Sequence, residues 1–485
     1  MPTRVRIAMA TAVTAALTGP LLTVGGGTAV AAGSGLQGDF NGDGFRDVAV
    51  SAPVAAVGGK ARAGQIAVMY GSASGLKATS RTLLSQNSTG IPGSAETNDM
   101  FGAATAAGDF NGDGYADLAV GTPGEDVGSD ADGGAVTIVW GTASGLAGGT
   151  NVADPNVSGQ DRFGQSLATG DFDPDGKTDL AAGGTSNKVW IFRGAFTTSG
   201  GNGGIYYATP NIVKASNAGA LQLTTGDFNG GGGDDLIVGG FDADTSYRTN
   251  VLIYASPTGT KLEDGSQEDL APGIITGTGD LNGDGKDDIV MGASWDDGIP
   301  GAVKGGKISI IYGNDYSSYK TDSISQDTAG VPNTAETGDR FGLEVAVGDI
   351  NGDGYADIAV GAPGENLTTT GTSVVDTGAV TILYGSAAGV TTTGSQYLHQ
   401  DTAGVPGGNE KSDYFGGEVF LSDVNGDSKA DLTTGATGEN DWNGTAVSLL
   451  SNGTAIGTAG AVSFGPSTVG VSTSGYPEFG SIMAG

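Results

Sequence analysis

An acidic, glycine-rich nonapeptide returns seven times along this chain, and each copy is followed by a short apolar run. The copies follow the pattern Asp-x-Asn-x-Asp-Gly-x-x-Asp, and they begin at Asp39, Asp109, Asp171, Asp227, Asp280, Asp349 and Asp423. Repeats of this length are supersecondary units that cannot bury their apolar faces alone and must stack on their neighbours. The repeat therefore constrains the fold more strongly than any other feature.

The oxygen atoms of each copy are spaced as in a loop that surrounds a hard cation. Side-chain oxygens at positions 1, 3, 5 and 9 and the backbone carbonyl at position 7 can face the ion, while Gly at position 6 permits the sharp turn. Ligands that are all oxygen favour Ca²⁺ over Zn²⁺ or copper. The alternative is a series of surface turns, because Asn-Gly and Asp-Gly are common turn formers.

Seven copies favour the cation-binding interpretation, and we expect six to seven Ca²⁺ ions. The predicted ligands, with position 7 contributing its backbone carbonyl, are Asp39, Asn41, Asp43, Phe45, Asp47, Asp109, Asn111, Asp113, Tyr115, Asp117, Asp171, Asp173, Asp175, Lys177, Asp179, Asp227, Asn229, Asp235, Asp280, Asn282, Asp284, Lys286, Asp288, Asp349, Asn351, Asp353, Tyr355, Asp357, Asp423, Asn425, Asp427, Lys429 and Asp431.

Three copies depart from the pattern. The copy at Asp171 has Asp173 in place of Asn, which gives four carboxylates and predicts strong binding. The copy at Asp423 has Ser428 in place of Gly, which predicts strain in the turn. The copy at Asp227 has Gly231 in place of an acidic ligand, and we expect this site to be weak or empty.

The order of segments within each repeat predicts four β-strands. A strand such as 101–109 leads into the acidic loop, and a second such as 117–123 leaves it. A third strand follows a Gly-rich loop, as at 134–141, and a weaker fourth precedes the next repeat. Four strands per repeat, seven repeats and no helical periodicity predict an all-β fold, a seven-bladed β-propeller with four-stranded blades.

The repeats resemble the FG-GAP (VCBS-type) repeats of the integrin alpha-chain propeller over residues 36–485. The resemblance rests on the acidic loops, on Gly-Ala-Pro at 361–363 with variants at 51–53 and 121–123, and on Phe-Gly at 101–102, 163–164, 341–342, 415–416 and 479–480. Repeats 4 and 5 depart from it, with Gly219-Ala220 and Pro272-Gly273 in place of Phe-Gly. The resemblance implies the fold and Ca²⁺ binding, but this fold carries many activities.

Two further features of the propeller follow from the repeats. Phe101, Phe163, Phe341 and Phe415 are expected to pack between blades, where the adjacent glycines permit close backbone approach. The segment 479–485 resembles a first strand that lacks its own loop, whereas the first loop lacks a strand before it. We therefore expect the C-terminal strand to pair into the first blade and close the ring.

The N-terminus has the pattern of a secretion signal. Arg4 and Arg6 precede an apolar stretch at 7–22, and Ala29-Val30-Ala31 is a small-residue cleavage site. A membrane anchor is the alternative, but Gly19-Pro20 interrupts the stretch, and no later segment has 18 continuous apolar residues. We predict a signal peptide at 1–31, a propeller domain at 32–485, a secreted protein and no transmembrane anchor.

Composition excludes several classes of partner and of enzyme. The chain has 54 acidic and 21 basic residues and a formal net charge of −33, which argues against nucleic acid and anionic membranes as partners. It has no Cys, so it has neither disulfides nor a thiol nucleophile, and its one His, His399, is expected at the surface. A glycosidase-like pair such as Glu125-Asp126 is more simply a solvated loop.

Antiparallel strands place the acidic loops on one face of the ring and the remaining connections on the other. The second face is predicted to carry Trp295, Trp442, Glu125, Asp126, Glu365, Asn366, Asp161, Arg162, Asp339 and Arg340. Exposed Trp beside polar groups is typical of sugar or protein recognition, although each Trp could instead fill a loop core. The predicted function is an extracellular binding or adhesion module for a protein or glycan; the alternative is a secreted hydrolase or lyase with an acidic pocket near the axis.

Overall fold

Seven four-stranded antiparallel sheets account for nearly all of the regular structure, which confirms the predicted seven-bladed β-propeller. The computed structural model describes residues 34–157, 161–213, 218–242, 245, 247–256, 261–313, 321–369 and 371–485. The predicted signal peptide lies outside the described residues and stays a prediction. Among the described residues, no helix has the length and apolar character needed to cross a membrane.

The strands follow the predicted order within each repeat. The first three blades contain β1 (Val48–Ala52), β2 (Gln65–Met69), β3 (Arg81–Leu84); β4 (Ala104–Gly108), β5 (Asp117–Thr122), β6 (Ala135–Trp140), β7 (Ala147–Val152); and β8 (Ser166–Gly170), β9 (Asp179–Gly183), β10 (Val189–Phe192), β11 (Ile205–Ala208). The fourth and fifth contain β12 (Ala220–Gly226), β13 (Asp235–Asp242), β14 (Tyr247–Ala255), β15 (Leu262–Asp269); and β16 (Ile275–Gly279), β17 (Asp288–Ala293), β18 (Lys307–Ile311), β19 (Thr321–Ile324).

The last two blades have additional elements in or after their connections. The sixth contains β20 (Glu344–Gly348), β21 (Asp357–Ala362), the added hairpin β22 (Leu367–Thr369) and β23 (Thr372–Val374), β24 (Ala379–Tyr384) and β25 (Thr391–Leu398). The seventh contains β26 (Phe415–Ser422), β27 (Asp431–Ala436), β28 (Thr445–Leu449) and β29 (Val462–Phe464), and β30 (Ile482–Ala484) follows. The described helices are short: a 3₁₀ turn (Asn211–Val213), α1 (Glu439–Trp442) and α2 (Pro466–Val469).

The second strand of each blade is the most apolar because it lies between two strands of its own sheet and two neighbouring blades. Every residue of β1, β5, β21 and β27 is buried. A strand buried on both faces reads as a continuous apolar run rather than as an alternating pattern. The short runs after the acidic loops, such as VAV and LAV, are therefore the centres of the blades.

The ring closes through the C-terminal strand, as predicted. β30 pairs antiparallel with β1, with Ala484 opposite Ala49 and Ile482 opposite Ser51. The first blade thus takes its innermost strand from the far end of the chain. Closure of this kind pairs a strand edge that would otherwise be available for aggregation.

The Phe-Gly pairs join neighbouring blades, which confirms their predicted role. Phe101, Phe163, Phe341 and Phe415 are all buried, and Phe101 packs in one cluster with Ile66 and Leu118 of two successive blades. Gly102 has a φ of 86°, and a Cβ there would lie 2.9 Å from Cγ1 of Ile66. Glycine is therefore required at this position by both conformation and space.

The junction of the fourth and fifth blades contains a buried polar side chain instead. Asn250 on β14 is 0% exposed, and neither its Oδ1 nor its Nδ2 has a hydrogen-bond partner within the described part of the chain. Its side chain lies beside Gly239 and Gly273, where repeat 5 lacks Phe-Gly. The positions in the same register of the other blades carry Ile66, Val136, Val189, Ile308, Val380 and Ala446.

Candidate metal centre

Six of the acidic loops connect the first strand of a blade to its second strand, and the loop at Asp39 leads into β1, the second strand of the first blade, so all seven lie on one face of the ring. In the second blade, for example, the loop at Asp109 runs from the end of β4 to the start of β5, and β4 and β5 are antiparallel. The connections from second to third strands and between blades lie on the opposite face. The predicted division of the two faces is therefore present in the structure.

Each loop is shaped by its own carboxylates and backbone amides. In the first loop the Asp39 carboxylate accepts hydrogen bonds from the backbone N–H groups of Gly42 (2.7 Å) and Gly44 (2.8 Å). The Asn41 Oδ1 accepts one from the Asp43 N–H at 2.8 Å. These bonds draw the side-chain oxygens into the turn. The three bonds recur at the same positions in the loops that begin at Asp109, Asp349, Asp280 and Asp423.

The aspartate at position 9 fixes the loop to the rest of its blade. Asp47 is fully buried, and its carboxylate accepts hydrogen bonds from the N–H groups of Phe40 and Gly71, both at 2.8 Å. Burial raises the pKa of Asp47 to about 8, against two hydrogen bonds that lower it. A buried carboxylate is stabilised by a nearby positive charge, and its oxygens keep further lone pairs for a ligand. The donor set therefore fits a hard cation.

The loops also contact one another around the ring. The N–H of the residue at position 8 donates to the carbonyl of position 1 in the preceding loop, as from Ala116 to Asp39 at 3.0 Å and from Ala356 to Asp280 at 2.8 Å. The same bond is found from Arg46 to Asp423, Asp234 to Asp171, Asp287 to Asp227 and Ala430 to Asp349. An acidic loop is therefore also a joint between two blades.

The third loop brings three carboxylates together. Single oxygens of Asp171, Asp173 and Asp179 all lie within 4.8 Å of one another, and no other trio of acidic, His or Cys side chains does so in the residues the structure describes. Two cations that a count of the loop's carboxylates omits lie beside them, one in the loop and one after the third strand. The Arg193 Nε lies 3.2 Å from the Asp173 Oδ2, and Lys177 forms an ion pair with the fourth carboxylate, Asp175.

The other two unusual loops keep the turn but change its interior. In the fourth loop Asn229 donates through Nδ2 to both carboxylate oxygens of Asp235, at 3.0 and 3.1 Å, instead of accepting from position 5. In the seventh loop Ser428 has a φ of 66°, a region that favours glycine, and its N–H still donates to the Asp423 carboxylate at 2.8 Å.

The opposite face carries an aromatic pair next to carboxylates. Trp442 is 44% exposed, and its ring lies 5.4 Å from that of Tyr414, at 39° to it. Trp295 is half-buried. Glu365, predicted on this face, lies beneath it: it is 1% exposed, and the Gln326 Nε2 donates to it at 2.5 Å.

The enzymatic candidates from the sequence are engaged in local structure. Glu125 accepts a hydrogen bond from Gln86 at 2.6 Å, and Asp126 accepts one from the Asp132 N–H at 2.9 Å. His399 is half-buried rather than at the surface, because its ring packs edge-on against Tyr397 at 5.6 Å. That burial lowers the pKa of His399.

Two carboxylates on the ring axis were missed by the sequence analysis. Glu344 on β20 and Glu418 on β26 line an axial cavity of about 900 Å³. Burial raises the pKa values of both carboxyls; repulsion from Glu344 raises that of Glu418 further, whereas Arg248 opposes the shift at Glu344. Aligning the repeats on Phe-Gly would have found them, because this register position carries Ala104, Ser166, Gln222, Ile275 and Ile482 elsewhere.

Five segments of the chain match the family model of the FG-GAP repeat, at residues 29–69, 101–139, 163–206, 272–311 and 341–383. The chain therefore contains five FG-GAP repeats, as the sequence motifs predicted, and its relatives include integrin alpha chains and a phospholipase D. The second acidic loop lies within a matched segment. The fourth and seventh blades lie outside the matched segments.

The relatives are much longer proteins. Phosphatidylinositol-glycan-specific phospholipase D of Bos taurus is 36% identical over 163 residues, 32% of this chain and 17% of that protein. Integrin alpha pat-2 of Caenorhabditis elegans is 34% identical over 229 residues, which are 44% of this chain and 17% of that protein. The chain thus spans about a sixth of the length of either relative. A crystal structure of an AofleA mutant from Arthrobotrys oligospora aligns over 82% of this chain and 94% of that one, at 10% identity and a TM-score of 0.40, which is too low to carry an argument.

Proposed function

We propose that this protein is a secreted, calcium-binding FG-GAP β-propeller that acts as an extracellular binding or adhesion module for a protein or carbohydrate ligand. The observation that carries the proposal is the set of seven oxygen-rich loops on one face, each anchored by a buried aspartate at position 9. Relationship to integrin alpha chains supports an extracellular binding role. The loops bind Ca²⁺ through the residues predicted from the sequence, and the opposite face binds the ligand.

Calcium in these loops stabilises the junctions between blades as well as the loops. With a Kd on the order of 0.1 mM and millimolar Ca²⁺, each occupied loop adds roughly 1–2 kcal/mol to the free energy of unfolding. Six or seven such terms rival the total stability of a typical domain. Because position 8 of one loop donates to position 1 of the preceding loop, loss of the ion loosens contacts between neighbouring blades.

The test of calcium binding is thermal unfolding before and after chelation with EGTA, with elemental analysis to confirm that the metal has left. We expect a melting temperature lower by many degrees and its recovery on adding Ca²⁺ back. Addition of Mg²⁺ is the control, because its smaller, octahedral shell suits a loop of this kind poorly. An unchanged melting curve in the metal-free protein would refute the proposal.

Ligand binding is assigned to the surface around Trp442 and Tyr414. An exposed aromatic pair with polar neighbours offers a flat apolar contact of the kind that sugar rings and protein side chains use. The test is a glycan array together with a screen of extracellular-matrix proteins. Trp442→Ala should lose the binding, whereas Tyr207→Ala, which removes an aromatic residue 46% exposed on the fourth strand of blade 3, should keep it. Equal binding by both variants would remove this surface from the proposal.

Secretion is supported by the residues at 1–31 alone. The exported protein is expected to begin near Ala32. Mass spectrometry of the protein recovered from a culture supernatant measures this directly, and an intact Met1 would contradict the assignment.

The alternative function, a secreted hydrolase or lyase, is favoured by one observation. The axial cavity holds Glu344 and Glu418, two carboxyls whose pKa values are raised, and a proton-donating carboxyl beside a carboxylate can serve in glycosidic or ester chemistry. Activity on panels of polysaccharides and esters tests it. Hydrolysis that Glu344→Gln and Glu418→Gln both abolish would support the alternative, and activity retained by both variants would exclude this pair.

A further inference from the structure

The third repeat departs from the others at two positions, and the two side chains touch. Position 3 of its acidic loop is Asp173, whereas the other six loops have Asn. The residue after its third strand is Arg193, next to Gly194, whose N–H donates to the position-9 carboxylate Asp179 at 2.6 Å. The residues in the same place in the other blades are Tyr70, Trp140, Tyr254, Tyr312, Tyr384 and Leu450.

The contact between the two side chains is well defined. The Arg193 Nε lies 3.2 Å from the Asp173 Oδ2, and the Asp173 side chain is only 10% exposed. The guanidinium also lies over the ring of Tyr206, 5.3 Å from its centre, which holds it in place. The other oxygen, Asp173 Oδ1, is buried and has no hydrogen-bond partner among the described residues. One oxygen of Asp173 therefore faces a cation of the protein, and the other stays available.

The positive charge of Arg193 balances the charge that Asp173 adds relative to the asparagine of the other loops. An asparagine offers one oxygen acceptor and one amide donor, whereas an aspartate offers two acceptors and an added negative charge. Arg193 places its positive charge beside Oδ2 in an ion pair. Its charge also offsets the fourth carboxylate, so the loop together with Arg193 has the formal charge of a loop with three carboxylates. The two departures in this repeat are thus chemically reciprocal.

We propose that Arg193 sets the cation affinity of the third loop: it orients Asp173 through Oδ2, and its charge keeps the affinity for Ca²⁺ near that of the three-carboxylate loops. The inference rests on the proposed function, because it requires that the loops bind Ca²⁺. Arg193 is a positioning residue, since it acts on the ion through Asp173. The third loop is accordingly not the tightest site, despite its four carboxylates.

The test uses variants that copy the other repeats: Arg193→Tyr, Asp173→Asn and the double variant. Amide hydrogen exchange measured by mass spectrometry, as a function of Ca²⁺ concentration, follows each loop separately, and the loop at Asp109 is the internal control. Removing one positive charge should lower the Ca²⁺ concentration for half-protection of the third loop roughly tenfold, and Asp173→Asn should raise it by a similar factor. The double variant should return to within about threefold of the wild type, and Arg193→Lys, which keeps the charge, should do the same.

The outcomes separate the inference from the proposed function. If the Asp109 loop responds to Ca²⁺ but Arg193→Tyr leaves the third loop unchanged or weakens it, the inference is overturned alone. If no loop gains protection from Ca²⁺, the proposed function is overturned and the inference with it. If the double variant differs from the wild type by about tenfold or more in either direction, the two charges do not compensate each other and the reciprocal role is wrong. Arg193→Lys also guards against a misfolded Tyr variant, because it conserves the length and charge of the side chain.

Discussion

The unpaired amide of Asn250 is expected to reduce the stability of the ring, and Asn250→Val should recover that stability. The side chain is fully buried, and neither of its polar atoms has a partner among the described residues. A buried polar group without a partner costs about 1–3 kcal/mol. Valine is apolar like the residues in the same register of other blades, five of which are also β-branched, so the substitution should raise the free energy of unfolding by about 2 kcal/mol. For about 450 residues this corresponds to an increase of about 2 °C in melting temperature.

Urea unfolding at a fixed millimolar Ca²⁺ concentration, followed by tryptophan fluorescence, measures the effect. The control is the reverse substitution, Val380→Asn, at the same register position of the sixth blade, where Val380 is also fully buried. It should lower the midpoint by at least as much as Asn250→Val raises it, with no change in the slope of the transition. An unchanged or lowered midpoint for Asn250→Val would show that the amide is satisfied between the fourth and fifth blades and would refute the reasoning.

Three other substitutions test single features of the loops and the axis. Gly231→Asp supplies the missing position-5 carboxylate, so calorimetry should show an added or tighter Ca²⁺ site; an identical titration would contradict the ligand assignment. Ser428→Gly relieves a φ of 66° and should raise the free energy of unfolding by about 1 kcal/mol in urea titrations; a loss would mean that the serine side chain stabilises the turn. Burial raises the pKa values of Glu344 and Glu418 above their ordinary values, with Arg248 opposing this at Glu344. Their ionised forms therefore destabilise the fold as pH rises, and Glu344→Gln should stabilise the protein more near pH 8 than near pH 5, whereas an equal gain at both would contradict the shift.

The repeated motifs predicted the blades because each motif reports a local requirement of the backbone. A Gly at position 6 of a loop or after Phe101 is needed for a positive φ, and an apolar run is needed wherever a strand is covered on both faces. The closing strand followed from the same logic, since the first loop lacked a preceding strand and the segment at 479–485 lacked a following loop. Each of these predictions was based on a motif whose own residues are close in the sequence.

The features that were missed depend on side chains brought together from separate segments of the chain, within a blade or between blades. Glu365 was placed on the ligand face because it lies in a connection, but Gln326 from the preceding blade holds it below the surface. Asp173 was counted as an added charge. Its partner, Arg193, follows the third strand of the same blade. An alignment of the repeats could have predicted both contacts, because it shows which substitutions occur together. The burial of Asn250 could be recognised only from the pairing of the strands in the structure.

The pairing of β30 with β1 has a consequence for the order in which the protein folds. Blades two to seven use strands that are neighbours in the sequence, but the first blade must wait for residues 482–484, and contacts between distant segments form slowly. The last residue closes against the first acidic loop: a Cβ at Gly485 would lie 2.1 Å from the carbonyl oxygen of Asp47. A cation bound in that loop and the pairing of β30 with β1 would therefore stabilise the same local structure. Binding of the cation would favour closure of the ring, and closure would favour binding. Under the proposed calcium binding, we expect the pairing of β30 with β1 to be the folding step that responds most strongly to calcium.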